Sequence, residues 1–278
     1  MSSLRALLNL ILVAAWTALL LPVQAAARAL GSPLMVSVPM LYHRGLARIL
    51  GLRVQIRGTP SDETPTLFTF NHSSWLDITV IDSLVPVCFI AKQEVASWPL
   101  FGILAKLQRT VFVQRIRNQT GRVRDEMRER LEAGDNLALF AEGTSGDGNR
   151  VLPFRSSFFA LAEPPVRGRP LAVQPVSIAY VGLNGAPLGR HLRPEFTWFG
   201  DMDLAPHIWR VLGLGPLTVV VTFHPPVTME RFASRKEMTA HAEAAVARGL
   251  SDALSGRSWG PKVRTLLPGK GTETRASA

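Results

Sequence analysis

With 278 residues, 47 % of them hydrophobic and 19 % charged, the chain can hold one large α/β domain or two small ones, and its apolar excess suits a globular domain with a membrane-associated part. The formal charge of +10 implies an acidic partner, whether anionic lipid, nucleic acid or an acidic protein. Cys88 is the only cysteine, which excludes an intrachain disulfide and a cysteine-based metal site, and its setting in Pro86-Val87-Cys88-Phe89-Ile90 is that of a buried thiol.

No charge interrupts Ala6 to Ala27, and Arg5 and Arg28 bracket the run. A helix of that length and polarity crosses a bilayer. Asn9, Thr17, Pro22 and Gln24 weaken that reading and leave room for a helix lying in the interface. A cleaved signal peptide, with Val23-Gln24-Ala25 as its site, ranks last, because the basic, cysteine-poor chain behind it looks cytoplasmic. Leu34 to Leu52 reads as an amphipathic helix returning to the cytoplasmic surface, with Arg44 and Arg48 at anionic headgroups. Residues 1–51 thus form a helical membrane anchor.

The main domain, residues 52–256, opens with the alternating strand Leu52–Arg57 and a polar turn. Thr66–Phe70 is a short buried strand, and Ser73 or Ser74 is the expected N-cap of the helix that follows. Further strands are predicted at 87–91, 110–114, 136–140, 171–180 and 217–223, with an exposed Arg/Glu helix over 119–133 ended by Gly134 and a helix after Arg155. The glycine-rich run 141–150 can turn backbone N–H groups towards an anion. Residues 257–278 form a basic, flexible tail. Strands alternating with helices indicate an α/β fold, a single mixed sheet flanked by helices, with no mark of a second domain.

His72, just past the second strand, stands where an open α/β sheet places its ligands, and Asp77 lies one helical turn on. The pair fits either a satisfied polar contact or a general base with its orienting carboxylate. There is no Gly-x-Ser-x-Gly elbow, Walker loop, zinc-type His-x-x-x-His helix or ligand-spaced Cys/His set. A His–Asp base without a protein nucleophile leaves that role to the substrate, as when a hydroxyl attacks a reactive acyl donor.

Asn71-His72-x4-Asp77 resembles the first motif of the glycerolipid acyltransferases typified by bacterial 1-acyl-glycerol-3-phosphate acyltransferase. Three further blocks follow in that family's order. They run from Lys92-Gln93-Glu94 through Trp98-Pro99-Leu100-Phe101-Gly102 to Val111–Arg115, then Phe140-Ala141-Glu142-Gly143-Thr144, then Val173-Gln174-Pro175-Val176-Ser177. The resemblance covers roughly residues 52 to 225. It implies a glycerol-3-phosphate acyltransferase-like fold at the bacterial inner membrane, with the catalytic domain on the cytoplasmic side. The implied reaction moves an acyl group from acyl carrier protein or acyl-CoA, as co-substrate and not cofactor, to a lysolipid hydroxyl. His72 would be the base and Asp77 its partner, with Asn71, Lys92, Arg115, Glu142, Gly143, Thr144 and Arg155 on the substrates and no metal. Arg115 could equally cap its strand in a salt bridge, Gly143 could serve a tight turn, and core packing explains the apolar residues near Trp98 as well as an acyl-chain tunnel does.

Departures from the pattern bear on the acceptor. Ala141 and Ser145 stand where the third motif has proline and arginine, and Arg109 and Gln114 depart from the second. A phosphate monoester wants a fixed cation, so the missing arginine weakens the case for a phosphate headgroup unless Arg150 or Arg155 compensates. The extended run Glu142 to Phe154 resembles the lyso-ornithine lipid O-acyltransferase branch, with lysophosphatidate as the alternative or second acceptor. A non-catalytic lipid-binding protein would need a degraded dyad, and both members are intact. A nucleic-acid binder would set aromatics among its arginines, which this chain does not. The charge fits anionic membrane lipids and an acidic carrier protein instead.

Overall fold

The computed structural model describes residues 2–113, 120–256 and 264–265. Two helices come first, α1 (Ser3–Ala29) and α2 (Leu34–Leu50). They are followed by β1 (Leu52–Arg57), β2 (Thr66–Phe70), α3 (Leu76–Leu84) and β3 (Cys88–Lys92). After a 3-10 turn come α4 (Phe101–Leu107), β4 (Val111–Val113), α5 (Thr120–Glu132) and β5 (Leu137–Phe140). A second 3-10 segment, Ser156–Ala162, replaces the helix expected after Arg155. The chain continues through β6 (Ala172–Leu183), β7 (Ala186–Pro187), α6 (Leu204–Leu212), β8 (Leu217–Phe223), α7 (Arg235–Leu254) and β9 (Arg264–Thr265). The tail thus contributes a two-residue edge strand antiparallel to β1, and its other residues lie outside those described.

One mixed sheet carries the strands in the order β4-β3-β5-β2-β6-β8-β1-β9, with β7 beside β6. β4, β3, β5, β2 and β6 all run parallel, so their carboxyl ends share one edge, and β8 returns antiparallel to β6. β2 lies inside this parallel set with every residue buried. Its side chains alternate between two cores. Phe68 and Phe70 pack with Leu46, Leu76, Val80 and Val211 on the face covered by α2, α3 and α6. Leu67 packs on the other face with Met127, Phe159, Met238 and Val246 from α5, the 3-10 segment and α7.

Among the described residues α1 is the one helix long and apolar enough to cross a bilayer. Its polar residues point inward. Asn9 Nδ2 donates to Leu212 O at 2.9 Å, Thr17 pairs with the Tyr42 hydroxyl, and Gln24 Nε2 donates to Met35 O and to Leu107 O at 2.8 Å. The opposite face exposes Leu4, Leu7, Leu8, Ile11, Leu12 and Leu19. The helix therefore turns apolar side chains outward and polar ones towards its own domain. On α2, Arg48 is exposed as expected, but Arg44 Nε donates to Ser83 O and His43 is buried beside Asp82 and Gln108. The second half of α2 is thus docked on the main domain through His43 and Arg44.

Candidate active site

The chain leaves β2 at the carboxyl edge of the sheet, and three sets of hydrogen bonds fix the turn that follows. The Asn71 side chain continues the ladder to β6, since Oδ1 accepts from Ile178 N at 2.8 Å and Nδ2 donates to Ile178 O at 3.0 Å. Both ends of this buried amide are engaged, so Asn71 holds strands together. The N-cap position of α3 is Trp75, and the Ser74 hydroxyl just before it accepts from Leu76 N, the first amide of the helix, at 3.3 Å. Asp77 Oδ2 also reaches back to accept from Ser73 N at 2.8 Å and Ser74 N at 2.9 Å. A carboxylate near a helix start is favoured by the orphan amides there. Trp198 N donates to Ser73 O and Trp75 Nε1 to His207 Nδ1, which locks the turn to the segment around α6.

The same Asp77 oxygen lies 2.9 Å from His72 Nδ1, and Asp77 is wholly buried while the His72 side chain is 19 % exposed. The other oxygen, Oδ1, accepts from the Tyr180 hydroxyl at 2.5 Å. A carboxylate surrounded by four donors acts as an acceptor, so Nδ1 carries the hydrogen and Nε2 presents its lone pair. The imidazole stacks on Phe140 at the end of β5, with ring centroids 3.9 Å apart and planes 22° apart. Nε2 has no hydrogen-bond partner among the described residues.

Beneath His72 lies Glu142, only 3 % exposed. One carboxyl oxygen accepts from Leu152 N at 3.2 Å, and Oε2 is buried without a hydrogen-bond partner among the described residues. Burial pushes the group up to about 8, opposed by the nearby backbone amides of Leu152 and His72 and reinforced by the negative charges of Asp77 and Glu243. Glu142 therefore sits buried under the loop, with one oxygen on the Leu152 backbone. The glycines of the loop also work internally, because Gly143 N donates to Phe140 O and Gly146 N to His72 O. The amides of Thr144 and Ser145, between them, donate to nothing among the described residues. Further along, Arg193 ties the loop to β6 by donating to Asn149 Oδ1, Tyr180 O and Leu188 O.

Gly143 has a left-handed φ of 69°, and a Cβ there would lie 2.8 Å from Arg155 Nε. A side chain there would be strained by the backbone and would have to displace the guanidinium above it. Arg155 is exposed over this turn and has no partner among the described residues. Lys92, at the carboxyl end of β3, is exposed and likewise unpartnered. Thr144 is exposed, and Arg115 lies outside the described residues. Tyr180 is the site residue that sequence reading missed: it lies 103 positions from Asp77, inside a run that reads only as a buried strand.

An acyltransferase family profile matches residues 52–179. The chain is 43 % identical over 224 residues to the lyso-ornithine lipid O-acyltransferase of Brucella abortus, an alignment covering 79 % of this chain and 84 % of that protein. It is 42 % identical over 225 residues to the lyso-ornithine lipid O-acyltransferase of Rhizobium meliloti, covering 80 % and 77 %. The 1-acyl-sn-glycerol-3-phosphate acyltransferase of Neisseria meningitidis is 32 % identical over 183 residues, covering 65 % and 68 %. The crystal structure of the Thermotoga maritima 1-acyl-sn-glycerophosphate (LPA) acyltransferase, PlsC, superposes with a TM-score of 0.55 over 92 % of this chain and all of that one, at 21 % identity, which establishes the shared fold. The chain belongs to the acyltransferase family that contains these lysolipid enzymes, and it is itself an enzyme that transfers acyl groups to a lysolipid.

Proposed function

We propose that the enzyme moves a fatty acyl group from an acyl carrier protein or coenzyme A thioester to the hydroxyl of lyso-ornithine lipid, at the cytoplasmic face of the bacterial inner membrane. The observation that carries the chemistry is the orientation of His72: Nδ1 is taken by Asp77, and Nε2, at the carboxyl edge of the sheet, has no hydrogen-bond partner among the described residues. The acceptor hydroxyl attacks the thioester carbonyl while Nε2 takes its proton. Collapse of the tetrahedral intermediate expels the thiolate, which recovers that proton from the imidazolium. Base catalysis of this kind supplies on the order of 10²–10⁴-fold, and positioning and oxyanion stabilisation supply much of the rest. The free amides of Thr144 and Ser145 suit the oxyanion.

Identity to two lyso-ornithine lipid O-acyltransferases over about four fifths of the chain favours that acceptor. The unpartnered Arg155 and Lys92 fit its carboxylate. They also fit a phosphate monoester, which keeps 1-acyl-sn-glycerol-3-phosphate as the second reading, alone or beside the first.

Membrane attachment through α1 is read from its pinned ends. A 27-residue helix is about 40 Å long, yet it is bonded to Leu212 near its start and to Leu107 and, through Arg28, Lys106 near its end. Standing it across a bilayer would carry α4 and α6 into hydrocarbon. Lying in the interface, its outer leucines meet acyl chains together with exposed Leu100, Phe101 and Ile103.

The test offers purified protein in detergent a radiolabelled acyl thioester with lyso-ornithine lipid or lysophosphatidate, each alone. Faster transfer to lyso-ornithine lipid is expected. Transfer to lysophosphatidate alone would move the assignment to the second reading, and transfer to neither would overturn both.

A further inference from the structure

The Tyr180 hydroxyl is unusual for its position. Its ring fills the core between β6 and the helices, where phenylalanine would pack the same volume, and the residue is 1 % exposed. A buried phenol needs a partner. Here that partner is the carboxylate that also holds His72, and a 2.5 Å O–H···O⁻ contact lies at the short, strong end for a charge-assisted bond. Asp77 therefore divides its two oxygens: Oδ2 takes His72, Ser73 N and Ser74 N, and Oδ1 takes only Tyr180.

We propose that Tyr180 is a positioning residue for the catalytic pair, whose buried hydroxyl pins Asp77 Oδ1 and, by the charge it draws from the carboxylate, sets how readily His72 accepts the proton of the attacking hydroxyl. This rests on the reading of His72 as general base. The rigidity comes from β6, which Asn71 locks to β2 two residues before Tyr180 and which Arg193 grips at the Tyr180 carbonyl. Burial, and then the charge of Asp77, push the phenol well above its ordinary range, so it stays a donor. The nearby Ser74 side chain works the other way, but burial and Asp77 outweigh it.

Other ionisable groups face the pair without touching Oδ1. Glu142 lies under the His72 backbone with Glu243 behind it, Arg155 lies over Gly143, Arg193 meets the far side of Tyr180, and His207 reaches the turn through Trp75. The phenol is thus the one adjustable donor on that oxygen among the described residues. Removing it concentrates charge on Asp77 and stabilises the imidazolium, so the acidic limb of kcat/KM moves to higher pH. A more acidic phenol draws more charge away and moves the limb to lower pH.

The test measures kcat/KM against pH for the wild type, Tyr180→Phe, the enzyme carrying 3-fluorotyrosine at position 180 alone, and His72→Ala. Tyr180→Phe is expected to raise the acidic limb by about half a unit to one unit, lowering kcat/KM about three- to tenfold on the acid side. Fluorotyrosine is expected to shift it the opposite way, a response that a space-filling role cannot produce. Should Tyr180→Phe fail to fold, the fluorotyrosine enzyme, with the same shape and bonds, decides the matter by itself. An inactive His72→Ala with coincident limbs in the other enzymes would overturn the tuning role alone. A fully active His72→Ala would overturn the base reading and this inference with it.

Discussion

Replacing Glu142 by glutamine removes a charge that the fold disfavours while keeping the shape and the acceptor that Leu152 N requires. In the wild type the carboxyl is raised from 4.5 to about 8, first of all by burial. Between those values the native state holds a proton that the unfolded chain has lost, so stability falls as pH rises and levels off above the upper value. Each pH unit in this window costs up to about 1.4 kcal/mol, and water drawn in around the forming carboxylate recovers roughly half. From about pH 6 to about pH 8 the wild type should therefore lose about 1.5–3 kcal/mol more than Glu142→Gln, or roughly 3–10 °C in melting temperature. Unfolding followed by tryptophan fluorescence in detergent, with both proteins scanned across that range, reads the difference directly. Parallel curves would refute the reasoning, since they would mean that Glu142 is already ionised and solvated in the native state.

Asn71→Ala should cost about 2–3 kcal/mol, because it strands the N–H and C=O of Ile178 inside the sheet, and denaturant titration would show it. Gly143→Ala introduces strain of about 1–2 kcal/mol at a left-handed φ and displaces Arg155. Its kcat/KM should fall at least severalfold with the far-UV spectrum unchanged. Replacing Leu7, Leu8 and Ile11 by serine should release the protein from liposomes in a flotation assay with little loss of melting temperature, since about half of each residue's surface is exposed. Asn9→Ala should do the reverse, keeping membrane binding and lowering stability by about 1 kcal/mol.

How much of this was legible in the sequence depended on how local the cause was. β1, β2 and β8 fall on the residues read from alternation and β-branching, because adjacent side chains record which faces of a strand are buried. The His72–Asp77 pair was visible for the same reason, its two members lying one helical turn apart. Where the reading failed, the deciding partner was distant. Asn9, Thr17 and Gln24 looked like flaws in a membrane helix until the domain they bind was in place. Asn71 carries the chemistry of a substrate ligand, but Ile178 engages both ends of its amide. Tyr180 gave no signal, because a buried hydroxyl on a strand gains meaning only from the carboxylate it meets.

Acyl transfer to lyso-ornithine lipid by His72→Ala beside the wild type, with folding checked by melting temperature, asks whether Nε2 of His72 is the base. Loss of at least about 10²-fold in kcat with a native-like melting temperature is the expected result. A folded His72→Ala enzyme that transfers at the wild-type rate would contradict it, leaving the His72–Asp77 bond a structural contact.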